Sequence, residues 1–220
     1  FAQDGSDFQA RAKAGMLSME ECMAAPLESY SSVMPSLIRL KEMYSDPDKY
    51  DSDLYNRIIS QIHYYYIHTG DIVSAEQILN EAENTLRMRE PEPNSKFMRD
   101  LLIRRGQTEI LLKNYSDALR YLNEAHTYFE EANDFGESYM VMLMNMAIAY
   151  QKDGDLLPAK MCMDEARERF EKLNGTSIYD IKDERLLIFT ANYGYIYYTL
   201  GKDSVAEKCF LYVINNSKDY

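Results

Sequence analysis

The sequence predicts an all-α fold, a right-handed stack of helix–turn–helix pairs forming an α-α superhelical solenoid, on three observations. A small-residue signature recurs four times. Tyr66–Gly70–Asp71–Ala75–Leu79–Ala82 sets the template, and Glu109–Lys113–Asn114–Ala118–Leu122–Ala125, Tyr150–Gly154–Asp155–Ala159–Met163–Ala166 and Tyr197–Gly201–Lys202–Ala206–Phe210–Val213 follow at the same offsets. Each copy reads as a helix end, a tight turn and a second helix whose small residues admit the ridges of its neighbour. Repetition at this scale marks stacked helical units. Finally, no stretch alternates strictly between apolar and polar residues, so no sheet is expected.

The first 50 residues are the least regular. Ser18 with Glu21 has the spacing of a capping box, and Leu27, Tyr30, Met34, Leu37, Leu40 and Tyr44 recur at helical spacing up to Ser45-Asp46-Pro47. A helix is expected there with Pro35 as a kink, so residues 1–50 read as one or two helices covering the N-terminal end of the stack. The rest, 51–220, holds four repeats at about 53–90, 94–133, 136–174 and 177–217. In the first, Ser52 and Asp53 cap a helix carrying Ile58, Ile59, Ile62 and Tyr66. Gly70–Asp71 ends it, because glycine takes the left-handed conformation without steric cost. Its partner helix runs through Ala75, Ile78, Leu79 and Ala82 to Pro91-Glu92-Pro93.

The second repeat starts near Asn94–Ser95, turns at Lys113–Asn114 and uses Ser116 as N-cap of a helix burying Leu119, Leu122 and Ala125. The third runs from Glu137 to Asp153, turns at Gly154–Asp155, admits Pro158 in the first turn of its second helix and closes at Asn174–Gly175. The fourth begins near Ser177 and turns at Gly201–Lys202.

Composition narrows the partners. A net charge of −12 disfavours nucleic acid and anionic membrane surfaces, both of which need clustered Lys and Arg. No segment reaches the ~18–20 apolar residues of a membrane span. Cys22, Cys162 and Cys209 show no metal-ligand spacing and read as small packing residues. The chain starts at Phe1 and stops soon after the last repeat, which leads us to expect a piece of a longer protein.

With these residues in register the chain resembles a tetratricopeptide-repeat (TPR) protein. The small residue at which the paired helices cross is His63, Gly106, Ala147 and Gly194, and the first consensus apolar site is Ile59, Leu102, Leu143 and Thr190. The matching alanines stand 43, 41 and 47 residues apart, against ~34 in the common unit. The helices are therefore longer, as in TPR arrays of bacterial regulators and peptide-signal receptors. His63, Glu109 and Val213 depart from the pattern, and the terminal Pro is absent.

The resemblance implies a concave wall built from the first helix of each repeat. Two and five positions after the first apolar site, and a further turn on, that wall would show Gln61, Tyr64, His68, Arg104, Gln107, Asn145, Ile148, Gln151, Asn192, Tyr195 and Thr199. Asn145 and Asn192 share one repeat position, as do Gln61 and Arg104. An amide both donates to and accepts from a peptide backbone, so these residues, solvated in the free protein, would grip an extended ligand. Tyr64, Tyr195 and Tyr198 would line pockets between them, with Tyr66 buried.

No catalytic site, metal site or cofactor is expected. His63, His68 and His126 are scattered, and no Gly-rich phosphate loop, nucleophile elbow or HExxH run occurs. The leading expectation is a non-enzymatic scaffold that binds a protein or peptide segment. It would be the sensory or partner-recruiting part of a bacterial regulator, in the extracytoplasmic part of a membrane-linked protein or otherwise in the cytoplasm. The alternatives are a structural spacer or self-association module and an enzyme-regulating TPR solenoid.

Overall fold

The computed structural model describes residues 2–26, 29–90, 96–180 and 184–217. Leu27, the Pro91–Pro93 break and the Asn94–Ser95 start lie outside the described residues. Among the described residues the chain is helical with no strand. It divides into two compact units, Phe1–Arg104 and Arg105–Tyr220. No described helix is long and apolar enough to cross a membrane.

Unit 1 opens with α1 (Ala2–Lys13), α2 (Met19–Ala24) and α3 (Tyr30–Ser45). Three helices stand where one or two were expected. The capping box forms as the spacing predicts: the Ser18 side chain accepts from the Glu21 amide, and Glu21 accepts from the Ser18 amide. Both α1 and α2 pack on α3, and the Ser36 hydroxyl accepts from the Leu17 amide at 3.1 Å. α3 runs unbroken through Pro35.

The first predicted pair follows as α4 (Ser52–Thr69) and α5 (Ile72–Arg89), and α6 (Lys96–Leu111) begins the second. The cap of α4 is Asp51 rather than Ser52 or Asp53, with its carboxylate accepting from the Leu54 amide at 2.9 Å. Asp holds the β-region conformation of an N-cap one residue earlier than the pattern suggested. Gly70 closes α4 at φ +76°. Ile58, Ile59 and Ile62 on α4 meet Ala75, Ile78, Leu79 and Ala82 on α5, and all seven are buried. Each large member contributes about 1.5–3 kcal/mol.

Unit 2 continues with α7 (Tyr115–Ala132), α8 (Glu137–Asp153), α9 (Leu156–Asn174), a 3-10 turn at Ile178–Asp180, α10 (Glu184–Thr199) and α11 (Asp203–Asn216). The N-cap of α7 is Asn114, not Ser116, because the left-handed Lys113 (φ +64°) delivers the chain into the helix directly after it. The fourth repeat also differs: Ser177 opens the 3-10 turn, and α10 starts at Glu184.

The crossing residues are as close as the signature demands. A Cβ on Gly106 would stand 2.6 Å from Leu122 Cγ, and one on Gly194 would stand 2.7 Å from Cys209 Cβ. Ala118, Ala159 and Ala206 are buried on the facing helices. The Tyr66, Tyr150 and Tyr197 positions are only half-buried. All three cysteines are unpaired, with Cys22 and Cys209 buried and Cys162 half-buried.

Candidate interaction surface

In unit 1 the predicted wall residues are largely engaged by their neighbours. Gln61 accepts from the Tyr30 hydroxyl at 2.6 Å. Tyr64 is 44% exposed, with its ring edge-on to Tyr30 at 6.0 Å. His68 is exposed, and its Nδ1 lies 2.8 Å from the Tyr64 carbonyl oxygen. Arg104 joins a polar seam between α4 and α6. Its guanidinium donates to Asn56 Oδ1 at 3.2 Å and to the Ser60 hydroxyl, while Asn56 Nδ2 donates to Asp100 at 2.8 Å.

His63 fills the crossing position in place of a small residue and is buried. Burial first, and then the charge of Arg104, push its imidazole down to about 3. It is a neutral packing group at neutral pH.

In unit 2 the wall residues lie on two helix faces. Glu137, Val141, Met144, Ile148 and Gln151 follow one another at spacings of four and three, forming a stripe along α8 with no buried member. On α10, Ile188, Asn192, Tyr195 and Thr199 repeat that spacing, with Tyr195 51% exposed. Gln107 on α6 is half-buried.

Asn145 corrects the expectation of solvated amides. It is 5% exposed, and its Nδ2 has no hydrogen-bond partner. Asn145 sits one position past the α8 stripe, where neighbouring helices enclose it. Asn192, at the same repeat position, is half-buried.

The α8 stripe opens into an apolar cleft of about 220 Å³ walled by Met140, Val141 and Met144 from α8, Phe170 and Leu173 from α9, and Leu186 and Phe189 from α10, with Glu137 and Asn174 at its rim. The cleft rests on a well-held frame. The Asp164 carboxylate on α9 accepts from the hydroxyls of Tyr193 (2.8 Å) and Tyr197 (2.7 Å) on α10, and Lys160 pairs with it. Burial pushes that carboxyl up, but these donors outweigh it and hold the group below its ordinary value.

The cleft-lining residues were missed in the sequence. Their signal was the run of Met140, Met142, Met144 and Met146: Met142 and Met146 are buried, while Met140 and Met144 turn to the open side. On a helix, an apolar run of that kind supplies two faces.

This geometry defines an all-α, TPR-like fold of paired helices, and known structures share it. BtubC (BKLC) from P. vanneervenii matches with a TM-score of 0.66 at 17% identity, over 99% of this chain and 84% of that one. The MamA RS-1 ArsTM double mutant matches with a TM-score of 0.52 at 17% identity, over 95% of this chain and 96% of that one. At such identities the likeness is one of fold. No protein-family model matches the chain, and no curated protein matches it.

Proposed function

We propose that the chain is a non-enzymatic protein-interaction scaffold whose unit 2 receives an extended, apolar-rich segment of a partner protein along α8 and α10. The observation that carries this reading is the cleft and its continuation into the α8 stripe. A cavity of ~150 Å³ takes a benzene ring, so this cleft admits a large apolar side chain. Methionine walls adapt to differently shaped anchors. Beyond the cleft, Ile148, Gln151, Asn192 and Tyr195 offer an apolar contact, two amides and an exposed ring to the segment that follows the anchor. Placement in a bacterial regulator belongs to the same reading and rests on the long repeat spacing.

The test is a peptide-library selection on the wild-type protein, followed by affinity measurement on Met144→Asp and Tyr195→Ala. A carboxylate in the apolar cleft should weaken the selected peptides at least about tenfold, equivalent to ~1.4 kcal/mol. Far-UV circular dichroism and melting of each variant serve as the folding control. Equal binding by wild type and Met144→Asp removes the cleft from the mechanism.

Self-association is a second reading favoured by a separate observation. Ile188, Tyr195 and Tyr198 on α10 and Leu211 and Ile214 on α11 are all exposed. One 47-residue spacing earlier, the positions of Leu211 and Ile214 hold Asp164 and Arg167, with which α9 receives α10. α11 thus presents apolar residues where a further helix would stack. Sedimentation equilibrium of wild type and Leu211→Glu checks it: a concentration-dependent dimer lost in the variant supports stacking, and a monomer throughout rejects it.

A further inference from the structure

Away from the cleft, three ligand-bearing side chains of unit 2 converge between α7 and α9. His126 and Glu130 are four residues apart on α7 and share one of its faces, and Glu165 comes from α9. A ligating atom from each lies within 4.8 Å of the other two. They gather around one hydroxyl: Tyr139 Oη is 3.2 Å from His126 Nε2, 3.2 Å from Glu130 Oε1 and 2.8 Å from Glu165 Oε1. A phenol carries one proton, so it cannot donate to all three groups at once.

The local charge also calls for a cation. Among the described residues, Arg169 is the one positive side chain paired with the two carboxylates, at 3.3 Å from Glu165 and 3.8 Å from Glu130, and it stacks over Phe135 at 4.0 Å. The last turn of α7 holds Glu130 and Glu131 and no basic residue. Carboxylates at the negative end of a helix dipole are disfavoured, and a cation there is favoured. Independently of the protein-binding reading, we propose that His126, Glu130 and Glu165 form a binding site for one divalent transition-metal cation, with Zn²⁺ as the best chemical match.

One imidazole and two carboxylates suit Zn²⁺, whose bonds to such ligands are ~2.0–2.2 Å. Mg²⁺ and Ca²⁺ demand more oxygen ligands than the site supplies. Closing three ligands onto a tetrahedral ion brings them to about 3.4 Å from one another, a short movement for half-exposed and exposed side chains. A tetrahedral ion held by three protein ligands would complete its shell with a water, and the exposed Glu130 leaves the cluster open to solvent. The Tyr139 hydroxyl touches both carboxylates from behind, at 2.8 Å from Glu165 Oε1 and 3.2 Å from Glu130 Oε1. It therefore orients the carboxylates as an outer partner. Arg169 competes with the ion for the same oxygens.

The test titrates metal-free wild-type protein with Zn²⁺ by calorimetry, followed in parallel by tyrosine fluorescence, which is unmasked because the chain has no Trp. Co²⁺ serves as the absorption probe. One ion per chain is expected. His126→Ala and Glu165→Gln should each weaken binding at least about tenfold, no less than the loss of an outer partner typically does. Arg169→Gln should tighten it, whereas a purely structural Arg169 predicts no gain.

Far-UV circular dichroism checks each variant, and Glu130→Gln, at an exposed side chain, keeps the test decisive if His126→Ala does not fold. The absence of saturable one-to-one binding overturns the proposal. So does undiminished binding by His126→Ala or by both glutamate variants, unchanged or weaker binding by Arg169→Gln, or a thiolate charge-transfer band in the Co²⁺ protein.

Discussion

On α4 and α6, in unit 1, the helix faces that precede the crossing residue are polar. Asn56 and Ser60 on α4 bond to Asp100 and Arg104 on α6 and close a seam between the two helices. On α8 and α10, in unit 2, the positions of Asn56, Asp100 and Ser60 hold Met140, Val141 and Met144, then Leu187, Ile188 and Ala191, and only the position of Arg104 stays polar, as Asn145 and Asn192. Those faces line or border an open apolar cleft. One backbone plan thus serves opposite chemistries. The crossing positions and alanines define the helix pairs, which leaves the outward face of each first helix free to be a hydrogen-bonded seam or a binding surface. Polar side chains at a seam specify one mate, because each donor needs its own acceptor; methionine, leucine and isoleucine accept many shapes.

The largest effect that could break this comparison is expected in the seam. Asn56→Leu removes the donor to Asp100 and the acceptor from Arg104, at ~1–3 kcal/mol for each group left short of a partner. A urea melt should show a loss on the order of 3 kcal/mol by the same accounting. A loss below about 1 kcal/mol, the net worth of a single ordinary hydrogen bond, would mean that the seam is not cooperative.

Next in size is Gly194→Ala, which sets a methyl 2.7 Å from Cys209 Cβ. Overpacking costs ~1–3 kcal/mol and the gain in helix propensity returns ~1, so the net loss should be about 1–2 kcal/mol. A melting temperature equal to that of wild type would show that α10 and α11 can move apart freely.

The third sharpens the contrast at the crossing position, where only the first repeat carries an ionisable group. His63 has an ordinary value of 6.5 and a folded value of about 3. Below the ordinary value, the unfolded chain takes up a proton that the folded chain does not. Stability therefore falls as pH drops from the ordinary value towards the folded one, by at most ~1.4 kcal/mol per pH unit. His63→Ala should flatten that slope in melts run between about pH 6 and pH 4.5, and an unchanged slope would place the acid sensitivity in other groups.

The smallest effect is the counterpart of the first. Met140→Leu, at a cleft position of matching volume, should change stability by less than ~1.5 kcal/mol. A larger loss would mark the cleft wall as a tightly packed core.

Much of the fold was legible because its signals are local. Gly70, Gly154 and Gly201 adopt positive φ at the turns where the signature placed them, and the spacing of Gly106 to Leu122 and Gly194 to Cys209 follows from a residue with no side chain at the crossing. Helix ends were read less accurately. Asp51 and Asn114 were passed over because Ser52, Asp53 and Ser116 are also capping residue types, and the choice among neighbours depends on the direction from which the chain enters the helix.

The sequence by itself determined that this chain is all-α, where its helix pairs turn and which small residues face each other, since turns, caps and 3.6-residue periodicity act over a few neighbouring positions. Only the tertiary structure decided the fate of side chains on the remaining faces. Asn145 and Asn192 share a repeat position, yet the first is buried with an unpaired amide and the second is half-buried. Arg104, which the repeat pattern places on the concave wall, is bonded to α4. His126 and Glu165 lie 39 residues apart in the sequence and meet only because α7 and α9 both pack on α8. The physical reason is common to all of them: burial, pairing and charge depend on what a neighbouring helix brings to the contact, and that identity is set far away in the chain.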